Sequence, residues 1–276
     1  MEANTYHFLI TRYNLISSSW NTDKRNNRVT DKDWLLSREN LFLRYCLPSV
    51  INQKDKNFYW FIYFQEGTES DLVKVLDEIS KYKFIHPFFI AGIVSLNNHV
   101  QKSISNIINK KAKVITSRLD NDDAIHYNFI KNIKKELINE GHNTVLSFSK
   151  GLCLNLTEGF TLSTLDFTLN QFVSLLEFEG QGFFKGVYCN PHNKWGPRFI
   201  VKDSKIRNMW LQIVHKRNLL NEFRGRLSYP FIIKSFGKID VPNPWIYNLK
   251  VFKSRIKAKV NKFPAYYRLK KLINGK

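Results

Sequence analysis

The sequence has few of the features that mark secreted, metal-cluster or membrane-spanning proteins. Its 276 residues contain three cysteines, Cys46, Cys153 and Cys189, which are odd in number and far apart. This spacing fits neither a disulfide framework nor a zinc cluster, so we interpret them as reduced thiols. No apolar run approaches the roughly 20 residues that span a bilayer. The first residues lack the charged-then-apolar pattern of a signal peptide. We therefore expect a cytoplasmic protein.

Acidic residues are scarce relative to basic ones: 23 Asp and Glu accompany 43 Lys and Arg, and the net charge is +20. The excess is uneven, because residues 241–276 contain ten Lys and Arg and no acid. A basic end on an otherwise ordinary body is typical of an attached docking segment. Hydrophobic residues at 43% and aromatics at 14% suit a packed core rather than disorder.

The first half of the chain alternates short apolar runs with amphipathic stretches. The runs predict strands over residues 6–11, 58–64, 84–90, 113–119 and 144–148. The stretches between them predict helices over 34–46, 70–79, 100–110 and 126–140, with Pro48 kinking or restarting the first and Ser70 capping the second. Such alternation predicts an α/β fold with a largely parallel sheet and helices on both faces.

The pattern weakens after Gly151. We predict short strands over 153–156, 172–178 and 183–188, and a helix over 209–220. There is no internal repeat and no low-complexity linker, so this half is predicted to extend the same domain.

An acidic turn follows the fourth predicted strand. Asp120, Asp122 and Asp123 place three carboxylates within four positions, and such a group is stable mainly when a cation neutralises it. Oxygen ligands suit Mg²⁺ or Mn²⁺, which keep open positions for phosphates. The simpler alternative is a surface turn in which Asp123 caps the next helix. The apolar strand before the turn favours the site, because α/β sheets bind ligands beyond the carboxyl ends of their strands.

The turn and its surroundings resemble a known family. Residues 118–124 (Arg-Leu-Asp-Asn-Asp-Asp-Ala) resemble the Asp-x-Asp element of GT-A glycosyltransferases, and more closely that of the bacterial rhamnosyl transferase family. Four further stretches match this family in order, namely residues 7–14, 46–53, 60–64 and 210–215. The resemblance spans about residues 7–220 and leaves the basic tail outside it.

The resemblance implies a GT-A-like, Rossmann-type sheet flanked by helices, followed by a basic helical tail. It implies sugar transfer from a nucleotide donor that is assisted by Mn²⁺ or Mg²⁺. One domain is expected over 1–240, with a nucleotide-sugar half at about 1–125 and an acceptor half at about 126–240. The tail occupies 241–276.

The resemblance also implies roles for individual residues. The donor is expected to contact Thr11, Arg12, Arg118 and Asp120, the last at the ribose or the sugar. The metal is expected to be bound by Asp122, Asp123 and His215. A histidine in an apolar stretch is equally well explained as a structural residue.

The sequence departs from the family pattern at Gln65. GT-A enzymes often place an Asp after the second strand, where it holds the base of the nucleotide. Glutamine still hydrogen-bonds a base edge, so Gln65 is retained as a donor-binding candidate. For the catalytic base, Glu177 and Glu179 alternate by two after a predicted strand and would face one side. Asp166 and Asp203 are further candidates. Solvation at the surface is the alternative for each, and a retaining enzyme would need no such base.

The basic tail predicts a second interaction. Its apolar residues recur every three or four positions and are interleaved with lysines and arginines, as in a helix that lies in a membrane interface. They are Leu249, Phe252, Ile256, Val260 and Phe263. The alternatives are a solvated helix, a protein contact or an RNA-binding tail.

These patterns together favour a glycosyltransferase of bacterial surface polysaccharide synthesis, peripheral on the inner face of the plasma membrane. Its partners would be a nucleotide-sugar donor, a glycan or lipid-linked acceptor and anionic lipid. The sugar is left open between rhamnosyl, galactofuranosyl and other hexosyl groups. No nucleic acid is expected as a partner. The alternative is a basic nucleic-acid-binding protein in which the acidic turn is incidental.

Overall fold

The computed structural model describes residues 4–17, 31–108, 112–178, 184–218 and 222–260. Its helices are α1 (Lys32–Leu41), α2 (Leu47–Ile51), α3 (Val73–Ser80), α4 (Leu96–Ser105), α5 (Phe129–Leu137) and α6 (Pro244–Val260). Its strands are β1 (Thr5–Arg12), β2 (Tyr59–Gln65), β3 (Ile85–Ile90), β4 (Lys113–Arg118), β5 (Ala124–Ile125), β6 (Thr144–Phe148), β7 (Lys150–Asn155), β8 (Thr161–Asp166), β9 (Ser174–Phe178), β10 (Ile200–Ser204), β11 (Trp210–Val214) and β12 (Arg226–Leu227).

The central sheet has seven strands in the order β10-β6-β9-β4-β1-β2-β3. All its pairings are parallel except those of β9, which runs antiparallel to both β4 and β6. Side chains on alternate faces join two different hydrophobic clusters: Trp60 and Ile62 lie in one, Phe61 and Tyr63 in the other. Helices α1, α3 and α5 contribute to the first cluster and α4 to the second. The predicted α/β fold, with a mostly parallel sheet flanked by helices, is confirmed.

A second sheet, in the order β12-β8-β7-β11-β5, corrects one prediction. Residues 210–214, predicted to be helical, form β11, which pairs with β7 in parallel and with β5 antiparallel. All five residues of β11 are buried. The pattern of a short apolar run that is buried on both sides fits a helix or a strand equally well. Here the run forms a strand because it pairs with β5 and β7.

Two smaller predictions were also wrong. Ser70 lies inside the 3₁₀ turn Glu69–Asp71, and α3 begins after Leu72 without a side-chain cap. Within the described part of 183–188 there is no strand. The N–H groups of Lys185 and Gly186 donate to the Glu177 carboxylate, so a side chain takes the place of a strand partner.

The backbone around Pro48 is helical without a break, so the predicted kink or restart takes the form of a π-helical irregularity just before it. Helix α1 passes into a π-helical segment, Phe42–Cys46, and α2 begins at Leu47 with Pro48 in its first turn. Proline lacks an N–H and its ring crowds the preceding turn, so a wider turn before it relieves the clash.

Helix α6 packs on the second sheet through a face other than the predicted stripe. Tyr247 and Val251 are buried, and the Tyr247 hydroxyl accepts from Leu162 N (2.7 Å) and donates to Leu162 O (3.0 Å). Of the predicted stripe, Leu249, Phe252 and Ile256 are exposed. The Val260 side chain and Phe263 lie outside the described residues. Among those residues, no helix is long and apolar enough to cross a membrane.

His7 makes the fold sensitive to acid. It is buried in β1, with Nε2 2.8 Å from Ser117 Oγ. Burial, with the charge of Lys134, lowers the pKa of His7 from 6.5 to about 3. Between these values the unfolded chain binds a proton that the folded protein does not. Stability therefore rises with pH through this window and is lost as the pH falls below 6.5.

The substitution His7→Gln is expected to remove the contribution of His7 to the pH dependence of the unfolding free energy. That contribution is roughly 1 kcal/mol per pH unit between pH 6 and 4. Urea unfolding at several pH values measures the slope. The matched control is His99→Gln, at an exposed position of α4, which should leave the slope as in wild type. An unchanged slope in His7→Gln would show that the buried imidazole is not responsible.

Candidate active site

The acidic turn lies where the two sheets meet. Strand β4 ends beside the end of β1, with Arg118 opposite Ile10 and Leu119 N donating to Ile10 O (3.1 Å). The turn closes with Asp123 N donating to Asp120 O (3.2 Å), and β5 begins at the next residue. It therefore lies at the carboxyl end of the parallel strands, where such sheets bind ligands.

The Asp122 carboxylate is buried and surrounded by donors. Arg38 Nη1 forms an ion pair with Oδ2, His215 Nε2 lies 2.9 Å from the same oxygen, and Asn218 Nδ2 lies 3.4 Å from it. Burial alone would raise the pKa of Asp122, but Arg38 and His215 outweigh burial and hold it well below its usual range. This carboxylate is therefore ionised, and its charge is balanced by the protein.

Arg38 was missed by the sequence reasoning, although the sequence carries a signal for it. In α1 it lies four residues after Trp34 and three before Leu41, on the apolar face of the helix. Its guanidinium is buried, lies 4.7 Å from the Trp34 ring centroid and also donates to Asn121 Oδ1 (3.3 Å). A charged residue on a core-facing row of a helix calls for a buried partner, and that partner is Asp122.

Asp123 points away from Asp122, into the second sheet. Its Oδ1 accepts from Ile213 N (2.8 Å) in β11, and its Oδ2 accepts from Gln171 Nε2 (3.2 Å). Burial and the neighbouring Asp122 and Asp120 raise the pKa of Asp123 well above its usual value. Its observed contacts anchor the turn to β11.

Arg12, Arg118 and Asp120 form a second cluster of charged side chains beside the turn, in which Arg118 is buried while Arg12 and Asp120 are partly exposed. The two guanidinium groups lie 5.0 Å and 4.3 Å from the centroid of the Tyr188 ring. Arg12 Nη2 is 3.7 Å from Asp120 Oδ1, and Arg118 Nη2 donates to Asn190 O (3.0 Å). The Asp120 side chain is 36% exposed. Among the described residues, this edge of the sheet therefore places two guanidinium groups near the Asp120 carboxylate.

Tyr188 holds the two arginines side by side although it was not among the predicted residues. Its ring lies under both guanidinium groups, and its hydroxyl donates to Ile10 O (3.3 Å) at the end of β1. Burial and the nearby Arg12 lower the pKa of Arg118, although Tyr188 opposes that shift. Burial and the neighbouring arginine therefore disfavour the charged form of Arg118. Two arginines placed together in this way are expected of a site that binds an anion.

Two predicted donor-binding side chains have structural partners. Thr11 is buried, and its Oγ1 accepts from Trp60 Nε1 (2.9 Å). Gln65 Oε1 accepts from Ile16 N (3.1 Å), which ties the end of β2 to the segment after β1. Both residues lie at the strand ends where they were expected, but their polar side-chain atoms serve these contacts.

The structure does not bring Glu177 to the turn. Glu177 is paired with Val114, four residues before Arg118 in β4, so about 13 Å of strand separates it from the end of β4. Its Oε1 and Oε2 accept from Lys185 N (3.0 Å) and Gly186 N (2.9 Å). The Glu177 carboxylate therefore makes a structural contact away from the turn, and a catalytic role for it stays a prediction that this placement does not favour.

The other carboxylates considered for catalysis also lie outside this cluster or outside the described residues. Glu179 is not among the described residues. Asp166, at the end of β8, faces Lys150 at 3.7 Å, and Asp203 in β10 accepts from Ser149 N (3.2 Å). None of these contacts joins the residues around Asp122.

A cavity of about 280 Å³ opens next to His215. Asn155, Thr157, His215, Lys216 and Asn218 line part of it. Since His215 and Asn218 both bond to Asp122, the cavity lies one side chain away from the acidic turn. Its lining is rich in polar groups that can hydrogen-bond a hydroxylated ligand.

The predicted metal ligands do not converge. Among the described residues, no group of three His, Cys, Asp or Glu side chains is arranged to hold a metal ion. Asp122 and His215 bond to each other, and Asp123 faces β11. The Mn²⁺ or Mg²⁺ site therefore stays a prediction, and this arrangement does not fit it unless Asp122 releases Arg38.

Comparison with known proteins complements this geometry. The sequence matches the family described as "Putative rhamnosyl transferase" over residues 7–226. None of the curated proteins compared with the chain matches it. Among solved structures, the inositol-1-phosphate CTP transferase from T. maritima is similar with 12% identity and a TM-score of 0.26, over 88% of this chain and 94% of that chain. At that TM-score the similarity carries no further conclusion.

Proposed function

The chain belongs to the rhamnosyl transferase family and is a glycosyltransferase; we propose that it uses a nucleotide-diphosphate sugar donor and a glycan or lipid-linked acceptor in bacterial surface polysaccharide synthesis. The observation that carries this proposal is the pairing of Arg12 and Arg118 beside Asp120, at the carboxyl ends of β1 and β4. The sugar is a rhamnosyl, galactofuranosyl or other hexosyl group.

The two arginines are suited to the leaving group of this reaction. The acceptor hydroxyl oxygen bonds to the anomeric carbon of the sugar, while the bond from that carbon to the nucleoside diphosphate breaks and its electron pair leaves with the diphosphate. The proton of the hydroxyl passes to an oxygen of the departing diphosphate or to water. Arg12 and Arg118 would balance the charge that develops there. The exposed carboxylate of Asp120 would accept hydrogen bonds from hydroxyl groups of the donor ribose or sugar.

The cavity beside His215 is the proposed acceptor site. It lies on the side of the turn that faces the second sheet, which is built mainly from residues after 125. This agrees with the division into a nucleotide-sugar half (about 1–125) and an acceptor half (about 126–240), which stays a prediction. Asn218 bonds to His215 N and Asp122, so the groups of the lining that suit sugar hydroxyls are the exposed Lys216 and the hydrogen-bonded pair Asn155 and Thr157.

Incubation with a panel of nucleotide sugars tests the proposal directly. One donor is expected to release its nucleoside diphosphate faster than in a control without protein, and an added glycan or lipid-linked acceptor should accelerate the release. In parallel, UDP, GDP or dTDP should raise the melting temperature, since a ligand at 100 times its Kd stabilises by about 2.7 kcal/mol.

The outcome against the proposal is equally definite. If no nucleotide diphosphate stabilises the protein while single-stranded or duplex nucleic acid does, the alternative of a nucleic-acid-binding protein replaces it. In that case the binding should weaken steeply with salt, because counterion release dominates such affinity.

Peripheral attachment to the inner face of the plasma membrane is part of the proposal. On α6, Trp245, Leu249, Phe252 and Ile256 recur every three or four residues and are all exposed, Trp245 to 89%. Lysines at 250, 253 and 257 recur at the same spacing, so they form a basic row along the helix. The opposite face holds α6 to the second sheet through Tyr247. Anionic lipid is the partner that matches both an apolar ridge and a positive charge.

The neighbouring 3₁₀ segment, Pro230–Phe236, extends this surface. The Phe231 side chain is 70% exposed and stacks on Tyr229 with ring centroids 6.3 Å apart, while Arg255 of α6 lies 4.4 Å from the centroid of that Tyr229 ring. Helix and segment are therefore fixed relative to one another. A second apolar contact beside α6 favours a lipid surface over a solvated helix.

The double substitution Trp245→Ser, Phe252→Ser is expected to weaken binding to anionic vesicles at least 10-fold, because each buried aromatic contributes about 1.5–3 kcal/mol. Co-sedimentation with phosphatidylserine-containing vesicles measures it. The control Val94→Ser removes an equally exposed apolar side chain far along the chain and should bind as wild type. These point changes are preferable to deleting residues 250–276, which would also remove the buried Val251. Unchanged binding in the double variant would exclude docking through α6.

A further inference from the structure

The strongest unexplained feature of the site is the ion pair between the Arg38 guanidinium and the Asp122 carboxylate of the acidic turn. Arg38 is held from three directions, by the Trp34 ring, by Asn121 Oδ1 and by Asp122 Oδ2. Its side chain is 10% exposed and that of Asp122 is 8% exposed. Arg38 is therefore held in a fixed position in the site. It pairs with Asp122 Oδ2, the oxygen that a divalent ion would need.

His215 also bonds to Asp122, and both of its ring nitrogens have partners. Its Nδ1 accepts from Arg217 N (3.2 Å), so Nδ1 carries no proton and the neutral ring has its proton on Nε2. That proton is donated to Asp122 Oδ2 at 2.9 Å. Both ring nitrogens are thus in use, and neither offers a lone pair to an ion at Asp122.

The positive charge for a diphosphate is available elsewhere in the site. Arg12 and Arg118 are held side by side on Tyr188, and Arg12 Nη2 lies 3.7 Å from Asp120 Oδ1. Arg118 Nε is buried and has no hydrogen-bond partner among those residues. A guanidinium donor left unmatched at a strand end suits a phosphate oxygen, which accepts two parallel N–H donors.

We infer that Arg38 takes the place of a divalent cation at Asp122, and that the donor diphosphate is bound by Arg12 and Arg118 without a metal ion. This inference rests on the proposed function, since it concerns the donor of that reaction. In this arrangement Asp122 orients the turn through Arg38 and His215. The negative charge of the departing diphosphate is balanced by protein side chains alone.

Calorimetric titration of the full-length protein tests the inference with UDP, GDP and dTDP, first in EDTA and then in millimolar Mn²⁺ or Mg²⁺ at matched ionic strength. The nucleotide that binds should do so with Kd values that agree within about 3-fold, a difference of well under 1 kcal/mol. Titration of Mn²⁺ alone into the protein should give no binding heat. Arg38→Met, which uncovers Asp122, should acquire Mn²⁺ binding, and the further change Asp122→Asn should abolish it.

The contrary results separate the two claims. Binding that is at least 10-fold tighter with Mn²⁺ or Mg²⁺ and is lost in Asp122→Asn overturns the inference, leaves the proposed function standing and supports a metal at Asp122. Absence of nucleotide binding under every condition overturns both. Should Arg38→Met fail to fold, the comparison of EDTA with Mn²⁺ in the wild-type protein still decides.

Discussion

The substitution Arg38→Met is expected to lower the free energy of unfolding by about 3–5 kcal/mol, as is typical when one partner of a buried ion pair is removed. The cause is Asp122, whose carboxylate would remain buried with His215 and Asn218 as its side-chain partners among the described residues. Methionine keeps most of the side-chain volume against Trp34, so the loss reports on charge rather than on a cavity. Urea unfolding monitored by circular dichroism measures the change.

Two further variants isolate that effect. Adding Asp122→Asn to Arg38→Met removes the unpaired charge and should recover at least half of the lost stability, which a double-mutant cycle expresses as a coupling energy. Arg44→Met changes an exposed arginine in the adjoining π-helical segment and should stay within about 0.5 kcal/mol of wild type. If Arg38→Met costs no more than Arg44→Met, the ion pair does not stabilise the fold.

The substitution Arg118→Met is expected to raise the Kd for the nucleotide diphosphate by about 10- to 100-fold, since a hydrogen bond to a charged group contributes about 1.5–3 kcal/mol. Among the described residues, Arg118 donates a hydrogen bond only to Asn190 O, so its loss should affect binding more than folding. Calorimetry gives the Kd, and urea unfolding of the same variant checks the fold.

A matched arginine provides the control for this result. Arg207 is exposed in the segment before β11, at the end of that strand opposite to His215. Arg207→Met removes the same charge from the protein and should leave the Kd within about 2-fold of wild type. Equal weakening in both variants would mean that overall charge, rather than the site beside Asp120, attracts the nucleotide.

The order of strands and helices in the first half could be read from the sequence because its strands are central. Strands β1, β2 and β4 are buried on both faces, so they are nearly continuous apolar runs bounded by polar turns. The same logic placed Asp120 at a strand end. It failed at β11, where five buried residues carry no periodicity that separates a strand from a helix.

The sequence by itself determined the α/β class, the position of the acidic turn and the basic, amphipathic character of the C-terminal end, since each depends on residues close together in the chain. Only the tertiary structure decided which groups meet the three carboxylates: Arg38 and His215 at Asp122, Ile213 N at Asp123, and Arg12 at Asp120. These partners lie up to 108 positions away from the turn. A carboxylate's charge balance depends on what folding brings within hydrogen-bond distance, which spacing along the chain does not encode.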